Sequence, residues 1–300
     1  MKERGSSVRK ATTYIGSTIL VISILLSRPV CADAQQPGIK LAVSPMRTDI
    51  NMPAGQSHTE AMRVVNDGTQ PAHLRAWPAD WYFNEKDAPQ FERAGSHADY
   101  SCGSWVKVNP TEFEVPAHGS AIVRYTTTIP AGTPEAGYHC GVAVETTRDP
   151  NEHLAATGLL TLFRFVNSIY VKIGNPEPQG EVTSLELVPI AADAPGADGK
   201  PSDSPHWEYR LQIHNPGRTH IRVTAKIELR DAAGNKIDGS SVDSQPVLPE
   251  ISRTFKLASQ RAILPGDYRL VATIDIGRPA LLQTERPIHI EAAPVSTQQP

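Results

Sequence analysis

Apolar and polar residues alternate with a period of two along most of the chain. The run Gly158–Gly174 (GLLTLFRFVNSIYVKIG) is the longest that reads as one strand. Its odd positions are mostly apolar, with Leu159, Phe163, Phe165, Ile169, Val171 and Ile173, as one buried sheet face requires. The even positions mix Leu160, Leu162 and Val166 with Arg164, Ser168, Tyr170 and Lys172. A strand apolar on both sides at one end is either covered twice or open to a partner.

Shorter runs of the same kind precede it. Gly38–Ile50 is interrupted by Pro45, which places that strand at a sheet edge or at a switch between sheets. His58–Val65 closes on the turn Asn66-Asp67-Gly68. Ala72–Phe83 carries Trp77, Trp81 and Phe83 at even steps, and these aromatics are expected to fill the core between two sheets. Glu85–Tyr100 reads as a long polar surface loop, and strands resume at Ser104–Val108, Glu112–Val115, Ser120–Ile129 and Tyr138–Thr146.

The segment Asn175–Gly180 (NPEPQG) is short and proline-stiffened, and it marks a domain boundary. Strands are predicted again at Glu181–Ile190, Trp207–His214, Ile221–Arg230, Ser252–Leu257, Tyr268–Ile276 and Leu281–Ile290. With 26 Pro and 21 Gly scattered between Val-, Ile-, Thr- and Tyr-rich runs, nothing asks for a helix. The expected fold class is all-β: sandwiches over residues 35–174 and 181–291, a linker at 175–180, and a disordered tail at 292–300. The halves are alike in kind, each with an Asn-containing turn, without a residue-level repeat.

Residues 1–34 read as a signal peptide. Lys2, Arg4, Arg9 and Lys10 precede an apolar run from Tyr14 to Leu26, and Ala32-Asp33-Ala34 offers a cleavage site. The apolar run is shorter than the roughly 20 residues of a membrane span. Removing its five basic and two acidic residues takes the net charge from −3 to −6, which favours neither nucleic acid nor an anionic membrane. Cleavage also removes Cys31 and leaves Cys102 and Cys140, an even pair that reads as a disulfide in an exported chain. Two buried thiols are the alternative, and a thiol count on the denatured, non-reduced protein separates them.

The spacing of the chemistry-bearing residues argues against an enzyme, a metal or a cofactor. His139 and Cys140 are adjacent, so on a strand they point to opposite faces. The chain holds no His-Glu-x-x-His, Cys-x-x-Cys, Gly-x-Ser-x-Gly or phosphate-cradling glycine loop. Glu112 and Glu114 share a strand face beside Phe113, where a solvated edge is the simpler reading than an acid/base pair.

The segments AVSPMRTDI, MRVVNDGTQPAHLRAW, SWVKVNPTEFEVPAHGSAIVRYTTTIP and GYHCGVAVE, followed by a closing apolar strand, fall in one order over residues 39–174. In that order the chain resembles the amino-terminal immunoglobulin-like domain of the PapD-like periplasmic chaperones of pilus assembly. The second half is similar to the immunoglobulin-like module of bacterial cell-surface proteins that bind wall polymer or WxL-type partners. The resemblance implies two immunoglobulin-like sandwiches in the periplasm or cell envelope. It also implies a pilin-like secreted subunit bound by β-strand addition, and Leu159, Leu160, Leu162, Phe163 and Phe165 match the lent strand. The family further anchors the subunit's terminal carboxylate with two basic residues. Arg47 and Arg164 are the nearest here, although Asp49 falls where the first is expected. The alternative function is an envelope-associated structural or adhesive module that binds wall polymer or a surface protein.

Overall fold

The computed structural model describes residues 38–96, 99–147, 162–190 and 206–291. The predicted signal peptide, Leu159, Leu160 and the tail at 292–300 lie outside them. Among the described residues, every regular element apart from one short 3-10 turn at Gly103–Trp105 is a strand. The chain forms two immunoglobulin-like β-sandwiches in tandem.

The first sandwich holds β1 (Leu41–Ser44), β2 (Arg47–Asn51), β3 (Ser57–Asn66), β4 (Ala72–Phe83), β5 (Pro89–Arg93), β6 (Val106–Asn109), β7 (Glu112–Val115), β8 (Ser120–Thr128), β9 (Gly137–Thr146) and β10 (Arg164–Lys172). One sheet runs β1-β3-β8-β6; the other runs β2-β10-β9-β4-β5, with β7 also paired to β4. Pro45 separates β1 from β2, and each lies at the edge of a different sheet. A ring that cannot donate to a ladder thus marks the crossing point. Between the sheets, Met62, Val64, Val123 and Tyr125 meet Leu74, Val142, Val144, Ile169 and Val171. Cys102 and Cys140, both fully buried in this core, are joined by a disulfide.

The second sandwich holds β11 (Glu181–Ile190), β12 (His206–His214), β13 (Ile221–Asp231), β14 (Lys236–Val247), β15 (Ser252–Ala258), β16 (Gly266–Asp275) and β17 (Leu282–Ile290). Its sheets run β11-β12-β15 and β14-β13-β16-β17, and Tyr209, Leu211 and Ile213 face Val223, Ile227, Leu229 and Leu270 across the core.

Both sandwiches use one buried asparagine in the same way. Asn66 Nδ2 donates to the carbonyls of Gln70, Val115 and Pro116, while its Oδ1 accepts from Gly68 N–H. Asn215 Nδ2 donates to the carbonyls of Thr219, Val247 and Leu248, and its Oδ1 accepts from Gly217 N–H. Each amide caps its own turn and a neighbouring chain end, which satisfies backbone groups that burial would otherwise orphan.

Three expectations from the sequence are corrected. Trp77, Trp81 and Phe83 do share a face, but it is the outer face of the six-stranded sheet. The inter-sheet core takes Ala72, Leu74 and Ala76 from β4 instead. Trp77 packs on Ala143 and Val166, and Trp81 on Tyr170 and Leu248. The predicted loop Glu85–Tyr100 contains β5, which pairs with the end of β4. The long strand is interrupted, since Leu162 and Phe163 lie outside β10, which begins at Arg164; residues 158–161 lie outside the described residues.

A candidate strand edge for partner binding

The alternation within β10 sends its two faces to different neighbours. Ile169 and Val171 enter the inter-sheet core and Phe165 packs against it; Val166 and Tyr170 lie on the outer face. Val166 is covered by Trp77. Tyr170 is covered by the second sandwich: it is 4% exposed, lies edge-on to Trp81 at 5.7 Å, and its ring centroid is 4.3 Å from that of His220.

That seam is held by unlike contacts. Gly137 N–H donates to the Arg218 carbonyl at 2.8 Å. Arg253 pairs with Asp87 at 2.8 Å and stacks over the Phe83 ring at 3.9 Å. Tyr100 donates to Glu250. Burial pulls the His220 imidazole down to about 4; nearby Asp49 opposes this, and Arg222, Arg47 and Lys172 add to it. His220 is therefore neutral at pH 7.

The main-chain groups of β10 are unequally satisfied. β9 pairs along its whole length, from Arg164↔Glu145 to Lys172↔Gly137. β2 pairs in parallel only from Ser168↔Arg47 to Lys172↔Asn51. Ser168 N–H donates to the Met46 carbonyl and Met52 N–H to the Lys172 carbonyl, so even-numbered residues turn their peptide groups towards β2. Thr146 N–H donates to the Phe163 carbonyl, so odd-numbered ones turn towards β9. The N–H and C=O groups of Arg164 and Val166 consequently face a side that β2 does not reach, and among the described residues no strand lies along it. This is an open edge, able to template another strand.

Asn167 marks where the open part ends. Fully buried, it donates to the Pro45 carbonyl at 2.9 Å, to Thr48 Oγ1 at 3.1 Å and to the Tyr125 hydroxyl at 3.4 Å. It thereby pins the crossing between β1 and β2 at the point where β2 begins.

Of the residues expected to bind a partner, Leu162 is 61% and Phe163 42% exposed, and both directly precede the open edge. Phe165 is half-buried against the core. Arg47 and Arg164 do not converge. Arg47 stands opposite Ser168, four residues or about 13 Å along the strand from Arg164. Each already has a carboxylate, Asp49 for Arg47 and Glu145 for Arg164.

Glu145 was not singled out from the sequence. It is 6% exposed and receives both Arg75 and Arg164. Burial alone would raise its carboxyl, but the two guanidiniums outweigh that and hold it below the usual carboxylate range. The signal was a lone acid in an otherwise apolar strand, GVAVETT, which demands a cationic partner that the sequence does not identify. Among the described residues no group of three or more His, Cys, Asp or Glu could hold a metal ion.

No protein-family profile and no curated protein matches the chain. Solved structures do. The class 5 fimbriae chaperone CfaA matches at 13% identity with a TM-score of 0.44, over 82% of this chain and 99% of its own. The CsuC–CsuE chaperone–tip adhesion subunit pre-assembly complex of Acinetobacter baumannii matches at 11% identity and 0.43, over 82% and 97%. The Salmonella enterica SafA pilin complex with the SafB chaperone matches at 14% identity and 0.39, over 84% and 96%.

Proposed function

We propose that this chain is an exported, non-enzymatic assembly chaperone that holds a secreted protein subunit by β-strand addition to the open edge of β10. The observation that carries the reading is the short reach of β2, which among the described residues leaves the edge at Arg164 and Val166 unpaired beside exposed Leu162 and Phe163. Main-chain hydrogen bonds along such an edge give affinity, and alternate side chains give selectivity. The sequence resemblance over residues 39–174 supports the same class of partner, a pilin-like subunit. The signal peptide read at residues 1–34 supports an encounter in the periplasm or cell envelope. Amino-terminal sequencing of the exported protein is expected to begin at Gln35.

The deciding test is co-purification of the full chain with exported subunits encoded beside it. Leu162→Asp and Phe163→Asp are expected to abolish the complex while melting stays near that of the parent. Unchanged capture by these folded variants would overturn the reading.

A further inference from the structure

One transverse row of charges crosses the outer face of the six-stranded sheet and stops at the open edge. The strand registers align Glu112 of β7 with Arg75 of β4, Arg75 with Glu145 of β9, and Glu145 with Arg164 of β10. Residues directly opposite across a ladder share a face, so the row alternates acid, base, acid, base. Its last member is an arginine with no strand beyond it among the described residues.

Arg164 is held in place. Its Nε donates to Glu145 at 2.7 Å, and its guanidinium lies 5.4 Å from the Trp77 ring centroid. Arg93 lies 5.3 Å from the same centroid, and the Arg164 side chain is 48% exposed. A fixed, half-exposed cation at the end of an alternating row is complementary to a carboxylate on the next strand. The flanking positions differ: Val166 is apolar on the same face, and Phe163 and Phe165 are apolar on either side of Arg164 in sequence.

We infer that the open edge selects strands carrying a side-chain carboxylate opposite Arg164, set among apolar residues. This rests on the strand-addition reading and adds the chemical class of the strand. It concerns an aspartate or glutamate within the added strand, not a chain terminus.

The test uses the full mature chain and three labelled synthetic peptides of about nine residues, one strand's length. They share an alternating apolar pattern and differ at one central position: Glu, Gln or Lys. Fluorescence anisotropy is expected to rank Glu over Gln by about threefold and over Lys by about tenfold at low salt, the size of a cross-strand charge pair. Added salt narrows the ranking. Arg164→Gln brings the three peptides together, Arg164→Lys keeps the order, and Phe163→Asp abolishes binding of all three. Equal binding of the three peptides to the parent, with loss in Phe163→Asp, overturns the charge selection and leaves strand addition standing. No binding by any peptide, or none lost in Phe163→Asp, removes strand addition and this inference with it.

Discussion

The two halves of β10 are made of similar residues and meet opposite fates. From Ser168 to Lys172 the strand has β2 on one side, β9 on the other, the core beneath and the second sandwich above Tyr170. From Arg164 to Asn167 the described residues place only β9 in its ladder, and its apolar continuation at Leu162 and Phe163 is exposed. The difference does not come from hydrophobicity. It comes from where Pro45 ends one strand and Arg47 begins the next, a crossing that Asn167 holds with its amide. One strand is flanked on both sides in one half and by β9 in the other because its neighbour is short.

The largest effect is expected at Tyr170. Tyr170→Ala empties a site between Trp81, Leu248 and His220 and is expected to cost about 3 kcal/mol of unfolding free energy, read by urea titration. The cost falls on the covered half and on the seam between sandwiches; an unchanged midpoint would show that the seam carries no stability.

Acid attacks the same half. His220, faced by Tyr170, Asp49, Arg47 and Lys172 from the first sandwich and by Arg222 on β13, titrates near 4 when folded and near 6.5 when unfolded. The unfolded chain therefore binds the proton first. Stability is full above pH 6.5 and falls by at most about 3 kcal/mol as the pH drops to 4. His220→Gln is expected to flatten that part of a stability–pH profile.

Asn167→Ala tests the junction. It removes a buried donor from the Pro45 carbonyl and the Thr48 and Tyr125 hydroxyls, at an expected cost of about 2 kcal/mol. Hydrogen exchange at Met52 and Ser168, whose amides bond across the β2–β10 ladder, should rise with it. The smallest effect on stability belongs to the open half. Phe163→Asp, at an exposed position, is expected to move the unfolding free energy by no more than about 0.5 kcal/mol while abolishing partner binding.

Much of the second sandwich was legible, since strands such as Ile221–Asp231 alternate cleanly over a single core. β14 (Lys236–Val247) escaped because Gly239, Ser240, Ser241, Asp243, Ser244 and Gln245 break the apolar pattern, and its register with β13 shifts between Val223 and Ala225. β5 escaped similarly, being five residues long with only Phe91 to mark it. The aromatics of β4 misled because both faces of that strand are apolar, and periodicity cannot say which one meets the opposite sheet.

What the amino-acid sequence determined by itself was local or chemical: the period-two strands, the break at Pro45, the asparagine turns, the even cysteine pair, and a strand end apolar on both sides. Each is written in neighbouring residues or in residue type. Tertiary structure decided that β2 begins only at the level of Ser168, that Tyr170 is roofed by the second sandwich, and that Glu112, Arg75, Glu145 and Arg164 fall into one row. These depend on registers between strands far apart in the chain, where a shift of one residue turns every side chain to the other face.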